Sequence, residues 1–143
     1  MLRAQGATML VSSAACGADL LALGEAGSLG MRRRIVLPFD RQKFRAESVT
    51  DRPGDWGLLY DQALHEVDEQ DLLVIQPSSD DKAYADVNHA IVDQALSVGQ
   101  QFSLPVVAAL VWDGKSRGEG DLTEEFAVYA RNKGVPVVEV MTI

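Results

Sequence analysis

The residues able to do chemistry collect at corners, where an apolar run gives way to a helical pattern. The first corner is Ser12-Ser13-Ala14-Ala15-Cys16-Gly17-Ala18-Asp19, which ends a Leu/Val run and opens a helix. Small side chains let a ligand approach the backbone, and the free N–H groups at a helix start favour an anion such as phosphate. Ser12 and Ser13 add hydroxyl donors, and Asp19 either complements the helix dipole or binds a ligand hydroxyl. The plainer account is that small residues let the helix pack closely on its strand. Cys16 has the setting of an activated thiol. A phosphatase-like loop, however, would carry an arginine six positions on, and that position is Ala22. A packing thiol is the better reading.

The second corner begins at Pro38 and runs through Phe39, Arg41, Lys43, Phe44, Arg45 and Ser48 to Trp56. Its aromatics offer faces for a base and its cations offer contacts to phosphate. Alternatively, the aromatics pin the segment down and the cations are solvated. Positions 38–55 show no clear periodicity, and a loop of that length inside a compact domain is often a lid or binding loop. The third corner is Pro77-Ser78-Ser79-Asp80, with Asn88 in the helix that follows, supplying hydrogen bonds for sugar or base. His65 and His89 lie on separate helical patterns and read as structural.

Five β-like runs position these corners, over 8–13, 34–37, 71–76, 106–112 and 135–140. They are continuous Val/Ile/Leu runs, as in strands covered on both faces of a parallel sheet. Helical patterns lie between them, over 18–29, 56–69, 82–100 and 122–133. Asp55 is the expected N-cap of the second, and Gly30 and Gly134 are the expected stops of the first and last. The alternation predicts an α/β fold, a three-layer sandwich with a five-stranded, mainly parallel sheet in a single domain over 1–143. Right-handed crossovers would set strand 34–37 on one side of strand 8–13 and strand 71–76 on the other. The crevice between the first and third strands would then be the switch point where such sheets bind ligands.

Composition narrows the function. The chain has 143 residues, 47% hydrophobic and 24% charged, enough to build a core. Its longest apolar stretch, 104–112, is far below the about 20 residues of a membrane span. One cysteine excludes an internal disulfide and, with no signal-peptide pattern at the start, points to the cytoplasm. Two histidines and one cysteine show no metal-ligand spacing, and no cofactor is expected. The net charge of −8 argues against nucleic acid as a partner, yet residues 1–52 sum to +3 and residues 53–143 to −11. Seven of the thirteen basic residues fall between Arg32 and Arg52. Such a segment on an acidic body suits a small anionic ligand, or else consists of internally paired arginines.

Together the residues resemble the SLOG superfamily, the Rossmann-like nucleotide-binding group that includes DNA-processing protein A and the lonely-guy phosphoribohydrolases. The resemblance rests on Ser13-Ala-Ala-Cys-Gly-Ala-Asp-Leu-Leu-Ala22, on Val36-Leu-Pro38, on Phe44, Ser48, Val49 and Trp56, and on the strand-corner-helix-strand pattern of 71–114. It implies nucleotide-type binding by Ser12, Ser13, Ala14, Ala15, Cys16, Gly17, Asp19, Pro38, Arg41, Arg45, Ser48, Pro77, Ser78, Ser79 and Asn88. The phosphoribohydrolases carry Pro-Gly-Gly-x-Gly-Thr-x-x-Glu where this chain has Pro77-Ser-Ser-Asp-Asp-Lys82, so their catalytic glutamate has no counterpart. Hydrolysis of an N-glycosidic bond in a nucleoside monophosphate, with a carboxylate such as Asp80 or Glu124 activating water or stabilising the ribosyl cation, is therefore the second expectation. A ligand-free interaction module is the third. The resemblance also implies a βα unit ahead of the first corner that this chain does not show. Either the sequence begins late, or the gap in the sheet is closed by direct pairing of its flanking strands or by a second copy, and a homo-oligomer is expected.

Overall fold

The computed structural model of the protein describes residues 8–75, 82–112 and 122–141. The chain falls into two compact units, Met1–Pro77 and Ser78–Ile143. In the first, β1 (Met9–Ser12), α1 (Ala18–Ser28), β2 (Arg32–Leu37), α2 (Arg41–Ser48), α3 (Trp56–Glu66) and β3 (Leu72–Val74) follow one another, with a short 3-10 turn at Glu69–Asp71. The second holds α4 (Ala83–Phe102), β4 (Ala108–Trp112), α5 (Leu122–Asn132) and β5 (Val137–Met141). Among the described residues, no helix is long and apolar enough to cross a membrane.

The fold is α/β with parallel strands, but the strands form two sheets. One has three strands in the order β1-β2-β3, the other pairs β4 with β5. The expected single five-stranded sheet is thus corrected. The expected order within the first three strands is corrected as well, because β2 and not β1 is central. Burial explains the choice. Ile35, Val36 and Leu37 are all fully buried, as a strand covered on both faces must be, whereas every residue of β1 is partly exposed. Charge adds to it. Arg32 and Arg34 point to the same face, two residues apart, and both reach Asp71 at the foot of β3. That clamp holds β3 beside β2.

Strand order has a consequence for the ligand crevice. With β1, β2 and β3 laid down in one direction, crossovers of one hand bring their helices to the same face of the sheet. Accordingly α1 packs against α3. The winding does not reverse within this sheet, so its three strands contain no switch point, and β1 and β3 leave no gap between them. The corners after β1 and β2 still lie at one edge, because the strands are parallel and adjacent, with Met9 beside Arg32 and Ser12 beside Ile35.

Local signals set the helix ends. In α1, Leu20, Leu23 and Ala26 are buried at a spacing of three residues, on the face turned to the sheet. Gly30, at φ 72°, closes it: Gly30 N–H donates to Gly27 O (3.1 Å) and Met31 N–H to Ala26 O (2.9 Å). The same double closure ends α5 at Gly134, where Val135 N–H donates to Ala130 O (2.9 Å). Asp55 stands at the N-cap of α3 as expected, but its side chain makes no capping bond. In the second unit, Val92, Ala108, Ala130 and Val135 form a buried cluster under Leu96, Val106, Phe126, Tyr129 and Val137. There the ring of His89 stacks on Tyr129 at 3.9 Å, and the Tyr129 hydroxyl donates to Asp93 (2.8 Å).

Candidate functional site

The corner after β1 is built as the small residues predict, and it is internally bonded. Ser13 and Ala14 are buried, and Ala15, Cys16 and Gly17 are partly exposed. Gly17 takes φ 96° and ψ −130°, a region open essentially to glycine alone, and this lets the chain swing from strand to helix. Asp19 reaches back so that its Oδ2 accepts the Ala15 N–H at 3.2 Å. The Ser12 hydroxyl donates to Ser13 O (2.8 Å) and stands beside the Asp19 carboxyl. Burial pushes the Asp19 carboxyl above its ordinary range, and the bonds from Ala15 and Ser12 oppose that rise. Cys16 N–H donates to Ser48 O at 2.9 Å, and the Cys16 thiol points to Asp51 Oδ1 at 4.0 Å. The amides of Ala15 and Cys16, at the corner expected to hold an anion, are therefore already engaged.

The second corner differs from its expectation. Positions 38–55 are not an open loop but contain α2, capped by Asp40, whose Oδ1 accepts from Gln42 N–H (2.9 Å) and Lys43 N–H (3.1 Å). The capping residue and the helix-forming run Arg-Gln-Lys-Phe-Arg-Ala-Glu carry that signal in the sequence. It escapes a search for periodicity because the whole eight-residue helix buries a single side chain, Phe44. Phe44 and Val49 are fully enclosed, Pro38 is buried, and the rings of Phe44 and Tyr60 stack at 6.1 Å. The Tyr60 hydroxyl donates to Arg41 O (2.8 Å), and burial pushes it up to about 12. A helix held in this way is a fixed element and not a lid. Phe44 is core and offers no face to a base, while Phe39 carries the Lys43 ammonium 4.4 Å above its ring.

The basic segment is largely neutralised within the first unit. Arg32 Nε and Arg34 Nε reach the two oxygens of Asp71 at 2.9 and 3.1 Å, Arg33 pairs with Glu66 at 3.1 Å, and Arg45 forms a two-bonded fork with Asp61. Hydrogen bonds from Arg32 and Arg34 hold the Asp71 carboxyl below its usual range, and Asp61 raises Arg45. Arg45, expected to reach a ligand phosphate, is thus committed elsewhere. Arg41, Lys43 and Arg52 make no ion pair with a described residue.

Comparison with family models, curated proteins and solved structures finds no match. Ser12, Ser13, Ala14, Ala15, Cys16, Gly17 and Asp19 form one corner, and Ser48 is joined to it through Cys16. Pro38 and Arg41 belong to the neighbouring corner at the same sheet edge. Pro77, Ser78 and Ser79, with Asp80, lie outside the described residues. Asn88, partly buried on α4, and Glu124, in the first turn of α5, belong to the second unit. The sequence reading did not single out Asp51 or the carboxylates Asp61, Glu66 and Asp71. Asp71 had a signal, since arginines at positions 32 and 34 must share a face of a strand and need one acidic partner there.

Proposed function

We propose that the protein binds a small phosphorylated, nucleotide-type ligand at the carboxyl edge of β1 and β2, as its resemblance to SLOG proteins implies. The observation that carries the reading is the meeting of the two corners at Cys16, whose amide is bonded to Ser48 and whose thiol faces Asp51. Segments picked out separately for their chemistry thereby come together, with Arg41, Lys43 and Arg52, which make no ion pair among the described residues, in the second of them. A phosphate oxygen would replace the Asp19 carboxylate on Ala15 N–H and the Ser48 carbonyl on Cys16 N–H, exchanging internal acceptors for a stronger anionic one. The Rossmann-like layering and the homo-oligomer that the resemblance implies form part of the same proposal.

Calorimetric titration and thermal shift with nucleoside mono-, di- and triphosphates test it. Saturable binding is expected, and Asp19→Asn is expected to tighten it, because the variant removes a negative charge from the corner yet keeps an acceptor for Ala15. If no nucleotide raises the melting temperature of the wild type or the variant, the reading is lost. Chromatography of the same mixtures for free base separates binding from N-glycosidic hydrolysis.

A further inference from the structure

We draw no further inference here: the strongest candidate, the open groove of about 400 Å³ in the second unit between the C-terminal end of α4 and the start of β5, lined by Leu96, Gln100, Leu104, Val106 and Val135 and as polar as it is apolar, carries nothing because nothing in the structure shows what covers it.

Discussion

A carboxylate with almost no solvent contact persists as an anion only where hydrogen bonds replace its water, and Asp71, 3% exposed, receives three of them from Arg32 and Arg34. Asp71→Asn keeps the shape but forfeits the charge, so two arginines lose their counter-ion at the β2–β3 boundary. We expect a loss of about 2–3 kcal/mol in urea unfolding at pH 7. The pH dependence has a definite sign. Because the folded carboxyl is lowered, its stabilisation is present above the unfolded value of about 4 and is lost as the pH falls through the lowered value. The gap between wild type and variant should therefore narrow in acid, and a gap that stays constant from pH 7 to pH 2.5 would refute the assignment. Gly17 carries a cost of another kind. Nothing lies within 4 Å of where its Cβ would stand, so Gly17→Ala meets no clash and is opposed by the backbone alone. The expected loss is about 1–3 kcal/mol. An unchanged melting temperature would mean that the corner can adopt another conformation.

At the scale of elements, α2 shows where sequence patterns stop informing. Strand and helix positions were largely legible: long apolar runs mark β1 to β5, and the glycine stops of α1 and α5 are where the sequence puts them. An eight-residue helix that buries one aromatic leaves no period to find, so α2 was hidden behind its charges. Its fixity follows from Phe44, Val49 and the Tyr60–Arg41 bond, all invisible until α3 is brought alongside. Phe44→Ala should cost about 3–5 kcal/mol, because the cavity cannot be refilled by a helix bonded at both ends. Hydrogen exchange distinguishes a fixed helix from a lid more directly. The amides of Phe44 and Val49, bonded to Asp40 O and Arg45 O, should exchange with the sheet amides of β2. Exchange as fast as that of the exposed 51–55 segment would restore the lid.

At the scale of the whole molecule, the sequence showed a charge asymmetry but could not show how much of it remains after folding. The legible part was a basic run on an acidic body. The illegible part was pairing, since Asp61, Glu66 and Asp71 lie 16 to 39 positions from the arginines they neutralise, and only the fold brings them together. Strand order escaped for a related reason, because β1 and β2 both offer an apolar neighbour for β3 and the Arg32–Asp71–Arg34 clamp decides for β2. Four of the seven clustered cations are committed to internal pairs, leaving Arg41, Lys43 and Arg52 against a net charge of −8. Three cations can neutralise the phosphates of one small ligand but not a polymer track. Even if all three engaged a single-stranded oligonucleotide, the salt slope of log K would be only about −2, and the acidic remainder would repel the rest of the strand. Fluorescence anisotropy with a labelled 20-mer should therefore show no binding at about 150 mM salt, under conditions where a nucleoside triphosphate still titrates. Tight oligonucleotide binding with a steep salt slope would have to draw on cations outside this segment, since four of its seven are already spent on Asp61, Glu66 and Asp71.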